Sequence, residues 1–417
     1  MDPTACLLDD FGPIPVVRPV SVAEVGDLVR RAAADGTALY PLGGRTLLDL
    51  GLPPTRPGIG VDLTALADAI DYPARDMTVT VRAGIKLAAL ANLLAAEKQR
   101  LPVDVPRADR ATLGGALAVN ASGPRRHGFG TLRDYVIGIS TINDEGQETK
   151  AGGRVVKNVA GYDLCKLHIG ALGTLGIISQ VTLKVRPQPE ATALLTLGCE
   201  GPDLGPLLDR LHTSRTRPVC IDVLNAVAAK AVATAAQAAL PAAPWVVAVG
   251  YEDREETMNW QVQQLLTEMA TVRVRGVEAR AGAAGDPLWR ALVESTHPGA
   301  ARLSFKANLL PGATAAFCLQ AEEGSPGIAL QAHAGNGIVR GHLIDLTLER
   351  AQALVRRWHE AAGAARGNVV LTRCPAAWKA TLPVWGMPRG DWPLMRQVKE
   401  KMDPRRLFNP GRFVDGI

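Results

Sequence analysis

Glycine constrains this chain more than any other residue, because it falls in three clusters within the first 180 positions, each beside a strand-like or short apolar run. A dinucleotide fold of the Rossmann kind needs GxGxxG between an early strand and a helix, and a P-loop needs GxxxxGK followed by Ser or Thr. Neither pattern occurs. The clusters therefore belong to another architecture, one in which small residues recur wherever a second surface must approach the backbone.

The first cluster is Pro41-Leu42-Gly43-Gly44-Arg45-Thr46. Consecutive glycines let backbone amides turn toward one point and form a nest for an anion such as pyrophosphate, although two adjacent glycines also make an ordinary turn. The second runs from Pro106 through Thr112, Gly114 and Gly115 to Asn120-Ala121-Ser122-Gly123. A tightly packed glycine-rich strand pair is the plainer account of it. The third comprises Lys157-Asn158-Val159-Ala160-Gly161-Tyr162-Asp163-Leu164, then Gly170, Gly173 and Gly176 just before the strand-like Ile177-Ile178.

Around these loops the periodicity is mixed. Ser21 with Glu24 forms a capping box, and Val22, Val25, Leu28, Val29 and Ala32 repeat at helical spacing until Gly36. Residues 78–81 and 181–185 alternate as strands, with a helical stripe at Leu87, Leu90, Ala91 and Leu94 between them. The texture changes beyond Pro189. Strand-like runs at 193–197, 219–224 and 245–249 alternate with helical runs at 203–211 and 254–269, and a similar alternation follows over 287–371. This order suggests an α+β layer with ferredoxin-like units. Residues 391–402 read as a last amphipathic helix, and the domain boundary is placed at 187–190.

Composition narrows the function classes. The chain has 417 residues, 47% of them hydrophobic, and its net charge of +5 is spread along the length without a basic patch. With only 4% aromatic residues, neither phosphate tracking nor base stacking is supported, so no nucleic-acid partner is expected. Six scattered cysteines with no CxxC pair speak against a zinc or iron–sulfur site and against a disulfide framework. No export signal and no apolar stretch of membrane-spanning length is visible, so the expected setting is a reducing cytoplasm.

In this order and spacing the loops resemble the PCMH-type FAD-binding domain of the vanillyl-alcohol oxidase superfamily, and within it the FAD-binding subunits of bacterial glycolate oxidase. The segment from Lys157 to Asp163, with Gly173-Thr174-Leu175-Gly176 and the strand after it, carries the most specific part. Phe408-Asn409-Pro410-Gly411-Arg412 matches the usual ending. The likeness implies an α+β protein. A PCMH-type FAD-binding domain of two α+β subdomains would occupy 1–189. A ferredoxin-like α+β domain, serving as cap, substrate or interaction domain, would occupy 190–417, with its C-terminal segment returning to the flavin domain.

Carried over by position, Leu42, Gly43, Gly44, Arg45 and Thr46 would hold the FAD pyrophosphate. Pro106, Thr112, Gly114, Gly115 and Ser122 would line the flavin and ribityl side. Gly176 and the main chain of Ile178 would sit beside the adenine end. Arg45 departs from the family, which usually has a small residue there, and it would pair with a phosphate or point to solvent. His127 matches a position of covalent flavin attachment in some relatives, but is better read as part of a loop near the isoalloxazine. Cys165 beside Lys166 reads as a buried structural thiol.

Related 2-hydroxy-acid dehydrogenases serve their substrate with an HxGDGN motif and a later histidine-glycine pair, sometimes through a metal. Here the nearest match, His333-Ala334-Gly335-Asn336-Gly337, lacks the aspartate, and the segment 371–379 lacks a histidine. No metal is therefore expected, and His333 reads first as a core histidine. Arg302 and Lys306, on one face of a strand-like run, would anchor a carboxylate or line a solvated face.

The resemblance implies an FAD-dependent oxidoreductase working within a glycolate-oxidase-like complex. It would oxidise a small 2-hydroxy acid, or relay electrons from a sister FAD subunit to an iron–sulfur subunit, and reach the inner membrane only peripherally through those partners. An autonomous oxidase of another hydroxylated substrate, or a structural flavin-binding assembly subunit, are the alternatives.

Overall fold

The computed structural model describes residues 5–153 and 163–417. The most specific stretch of the resemblance, Lys157 to Tyr162, lies outside the described residues. The chain forms two compact units: one of Met1–Ala121, Thr131–Gln188 and Pro388–Ile417, the other of Ser122–Gly130 and Pro189–Met387. Among the described residues no helix is long and apolar enough to cross a membrane.

In the first unit helix Val22–Asp35 has its ends where the sequence put them. Ser21 Oγ accepts from Glu24 N at 3.2 Å, and Gly36 closes the last turn at φ 68°. Its apolar stripe packs with Leu39, Val61, Ile142 and Ile177, and with Leu407 and Phe408 from the far end of the chain. Two sheets carry the unit. One has four strands in the order Ala5–Leu8, Phe11–Val17, Gly58–Asp62, Ala38–Leu42; its first pair is antiparallel and the others parallel. The other is antiparallel, in the order Ala69–Asp71, Thr78–Arg82, Ile177–Lys184, Val136–Ile142, Glu148–Gly152.

Strand Ala38–Leu42 is an edge, and an open edge presents unpaired amides and carbonyls. The C-terminal segment covers it. Leu39 N donates to Leu407 O at 2.7 Å, and Asn409 N donates to Leu39 O at 2.9 Å. Phe408, fully buried between them, contributes about 2–3 kcal/mol of apolar burial. Helix Trp392–Met402 leads into this segment.

The second unit is built on one antiparallel sheet of eight strands. Their order is Val277–Ala281, Ala191–Cys199, Trp245–Asp253, Cys220–Asn225, Ala329–His333, Ile338–Leu343, Leu303–Asn308, Asn368–Arg373. In each half the strands lie in the spatial order fourth, first, third, second, with helices crossing after the first and third. The crossing helices are Gly201–His212 and Glu255–Met269 in one half, and Thr314–Gly324 and Leu348–Ala364 in the other. The halves join through Cys220–Asn225 and Ala329–His333, in the register Asp222↔His333, Val223↔Ala332, Leu224↔Gln331.

Alternation along the strands sorts this sheet into two unlike faces. Phe305 points to the helices and packs on Trp358 and Phe317, with ring centroids 4.3 and 6.2 Å away. Gly341 stands opposite it because a Cβ there would fall 2.2 Å from the Phe305 ring. The other face carries Ser304, Lys306, Arg340, His342, Gln331, His333 and Asp222, all in register across four strands. That face is polar, yet most of it is buried.

Candidate functional site

In the first unit the glycine loops converge. Loop 42–46 leaves strand Ala38–Leu42 and lies on segment 110–115. A Cβ on Gly43 would sit 2.1 Å from Thr112 Oγ1, and one on Gly44 would sit 1.9 Å from the Arg110 carbonyl oxygen. These two glycines are therefore demanded by loop-on-loop contact, before any ligand is considered. Arg107 Nη1 donates to Thr46 O at 3.1 Å and clamps the same pair.

Thr112 is buried and caps helix Leu113–Ala118, its Oγ1 accepting from Gly115 N at 3.3 Å. Pro106 is buried just before the turn that leads to it. Gly114 lies against Ala83, whose carbonyl accepts from its amide at 2.7 Å. Gly115 differs from these neighbours. Among the described residues a Cβ there would meet only Thr112 Oγ1, at 3.1 Å.

Segment 170–173 closes a third side. Gly170 N and Leu172 N donate to Leu117 O and Ala118 O, both at 2.9 Å, and Asn409 Nδ2 donates to Leu172 O at 2.6 Å. Beside Gly170, Asn120 adopts φ 49°, and its Oδ1 is buried without a hydrogen-bond partner. A buried acceptor left unsatisfied costs about 1–3 kcal/mol unless a donor arrives from elsewhere. Sequence reasoning included Asn120 in the loop but gave it no role, since an orphaned oxygen is visible only in three dimensions.

The remaining expected cofactor residues are Gly176, Ile178 and Ser122, which follow these segments closely in the chain, and Arg45 within the first loop. Gly176, at φ 147°, sits against the Ile142 carbonyl and opens strand Ile177–Lys184, in which Ile178 is buried opposite Thr141. Ser122 belongs to the second unit and accepts from Arg126 Nη1 at 3.2 Å. Arg45 is turned to a carboxylate of the protein rather than to solvent. Its Nη2 donates to Asp62 Oδ2 at 3.1 Å, with both side chains 14% exposed. Asp62 stands opposite Leu42 on the neighbouring strand and is the carboxylate the Arg45 side chain meets as the loop begins.

Cys165 is a buried thiol pushed up to about 11, by burial first and by Asp163 second, so it is not poised as a thiolate.

In the second unit, His333 and Asp222 meet at the joint between the two halves of the sheet. His333 Nδ1 lies 2.7 Å from Asp222 Oδ1, and both side chains are essentially inaccessible. Gln331 Nε2 donates to Asp222 Oδ2 at 2.7 Å, and Ser295 Oγ donates to Gln331 Oε1 at 2.7 Å. Gly335 leaves room for the His127 ring, because a Cβ would fall 2.1 Å from His127 Nδ1. Burial holds the His127 ring below its ordinary range, with His212 adding to the effect.

Lys306 and Arg302 are not brought together. Four residues along a strand separate them by about 13 Å. Arg302 is exposed and lies over the Trp378 ring, 5.0 Å from its centroid. The partner of Lys306 across the sheet is instead Arg340, which is buried. Burial first, then the Arg340 and Arg126 charges, push Lys306 down to about 8. Burial and Arg126 push Arg340 down to about 10, with Asp222 opposing them.

Residues 13–152 match the family described as FAD binding domain. The glycolate oxidase subunit GlcE of Escherichia coli (strain K12) is 36% identical over 168 residues, which is 40% of this chain and 47% of that protein. A D-2-hydroxyglutarate dehydrogenase of Xanthomonas citri pv. viticola is 38% identical over 189 residues, 44% of this chain and 40% of that protein. The chain thus spans less than half the length of these curated relatives. Among solved structures, p-cresol methylhydroxylase with substrate bound aligns at a TM-score of 0.74 and 14% identity, covering 95% of this chain and 88% of that one. That likeness shows the fold.

Residues 13–152 thus match an FAD-binding domain, and the mixed α+β fold is one that p-cresol methylhydroxylase shares. The residues of this domain fit the cofactor. Three glycine-bearing segments meet, a Cβ at Gly115 meets only Thr112 Oγ1 among the described residues, and Asn120 offers a buried oxygen to a hydroxyl or ring N–H donor.

Proposed function

We propose that this chain is an FAD-dependent oxidoreductase of small 2-hydroxy acids, working as a subunit of a glycolate-oxidase-like complex with a sister flavoprotein and an iron–sulfur subunit. The observation that carries the flavin part is the meeting of loops 42–46, 110–120 and 170–173, with an orphaned Asn120 oxygen beside Gly170. Leu42 to Thr46 and Pro106, Thr112, Gly114 and Gly115 would hold FAD, mostly through backbone, with Ser122, Gly176 and Ile178 as further contacts. Bound there, FAD supplies a two-electron acceptor, and the chain's part is to bind, orient and shield it. Residues 1–189 with the returning C-terminal segment would form the flavin domain, and 190 onward the substrate or interaction domain.

The substrate class is supported by the names of the two relatives, a glycolate oxidase subunit and a 2-hydroxyglutarate dehydrogenase. The eroded histidine motif favours a relay role as the second reading, with the sister subunit oxidising the acid. Purified protein reconstituted with FAD and mixed anaerobically with glycolate tests both. Bleaching of the flavin band by the isolated chain supports direct oxidation. Bleaching only when the native partners are present supports the relay. A preparation that takes up no FAD overturns the reading.

A further inference from the structure

An open sheet edge is a row of unpaired amides and carbonyls, and proteins blunt it with lysine, proline, a bulge or a covering segment. In the second unit, edge strand Asn368–Arg373 is covered from within the chain, where Leu371 N donates to Val384 O at 2.8 Å. The opposite edge, Val277–Ala281, is different. Its sequence, Val-Glu-Ala-Arg-Ala, holds neither lysine nor proline, and its register with Ala191–Cys199 runs without a shift. Val277, Ala279 and Ala281 are exposed, as is the turn Gly282-Ala283-Ala284 beyond them.

The ladder shows which groups face outward. Gly198 N donates to Gly276 O at 3.1 Å, so residues 276, 278 and 280 turn their backbone inward, because inward and outward groups alternate along an antiparallel strand. The amides and carbonyls of Val277, Ala279 and Ala281 therefore point away from the sheet. Among the described residues no backbone group meets them.

The side chains between them carry opposite charges. Glu278 and Arg280 lie on one face, Arg280 Nη2 donating to Glu278 Oε2 at 2.5 Å, and the Glu278 side chain is 37% exposed. Arg280 Nη2 also donates to Ala239 O at 2.6 Å, whereas Nη1 has no hydrogen-bond partner. This spacing is self-complementary. When the edge meets a second copy of itself antiparallel and centred on Ala279, Val277 falls opposite Ala281 and Glu278 falls opposite Arg280, once from each copy. With the outward groups of Val277, Ala279 and Ala281 making the hydrogen bonds, both charge pairs take the positions where facing side chains come closest. A slip of two residues either way sets Glu278 against Glu278 or Arg280 against Arg280. Charge thus selects one register, and the two-fold contact closes on itself.

We propose that Val277–Ala281 is a dimerisation edge, at which two copies of this chain pair antiparallel about Ala279 and continue their sheets into one. The contact needs no cofactor, so it stands apart from the flavin reading.

Sedimentation velocity of the full chain, over a wide concentration range at low salt, tests this. A monomer–dimer equilibrium is expected, weakened by added salt. The outward amide of Ala279 makes no ladder bond within the chain, so Ala279→Pro should abolish the dimer while the melting temperature stays near wild type. Glu278→Arg and Arg280→Glu each set like charges opposite one another, and each alone should dimerise at least tenfold more weakly. Mixed in equal amounts, these two variants are complementary and should recover the dimer. If proline unfolds the strand, the charge-swapped mixture still decides. Equal self-association of wild type and a folded Ala279→Pro overturns the proposal, because the dimer then forms elsewhere. So does a mixture that pairs no better than its components, or a wild-type chain that stays monomeric and associates only with a different protein.

Discussion

Lys399 Nζ and Asp403 Oδ2 lie 2.6 Å apart, one helical turn from each other, and both side chains are sealed from solvent. The ammonium also donates to Thr174 O at 2.7 Å and Phe408 O at 2.9 Å, while Asp403 accepts from the amides of Leu407 and Phe408. Burial draws Lys399 below its ordinary range, and Asp403 opposes that pull. This knot fixes the returning segment to the first unit.

Removing one partner of a buried pair costs about 3–5 kcal/mol, because the other charge stays behind uncompensated. Lys399→Met is expected to destabilise the protein by that order, read as a lowered urea midpoint. A midpoint equal to wild type would show that the carbonyls and amides hold the segment without the charge.

Two glycines in the converging loops separate fold from cofactor. Gly44→Ala drives a Cβ onto a backbone oxygen 1.9 Å away, so stability and flavin content should fall together. Among the described residues Gly115→Ala meets only Thr112 Oγ1 at 3.1 Å, so flavin content should fall while the melting temperature stays near wild type. Full flavin occupancy in Gly115→Ala would remove that position from the cofactor site.

Arg45 holds φ 53° and spends its guanidinium on Asp62. Glycine there relieves roughly 1 kcal/mol of backbone strain and loses a partly buried ion pair of similar size, so stability should scarcely change. Because the guanidinium is already engaged, Arg45→Gly should leave the FAD dissociation constant within about twofold. A tenfold loss would mean that Arg45 swings to the phosphates.

Acid lability should trace to His168, which burial pushes down to about 4. The folded protein keeps this imidazole neutral, whereas the unfolded chain protonates it near its ordinary value. Its contribution is therefore present above about pH 6.5 and is lost as pH falls to about 4, a span of ~3 kcal/mol. Unfolding free energies measured from pH 7 to 4 should decline less steeply in His168→Leu than in wild type.

Much of this was legible in the sequence where signals are local. The Ser21 and Gly36 caps fixed a helix, and alternation located strands Thr78–Arg82 and Ile177–Lys184 of the first unit and three strands of the second. The eightfold sheet was not legible, because periodicity finds strands but not which edges join. Asp222 and His333 are 111 residues apart and meet only through that joint, so His333 read as an isolated histidine. Arg340 likewise looked like one cation among 46 basic residues. Lys399 sat on a helix read as amphipathic, and its burial depends on carbonyls from Thr174 and Phe408. Arg302 read as sharing a face with Lys306, but it lies just before the strand, exposed over the Trp378 ring, which spacing alone does not show.

The edge-covering contact of Leu407 and Asn409 with Leu39 has a consequence for biosynthesis. Residues 407–409 leave the ribosome only after all of Pro189–Met387 has emerged. The first unit, though it begins the chain, is completed last. Until then Leu39 waits with its edge open and its Phe408 slot empty, and a chaperone that holds nascent chains would find its longest task there.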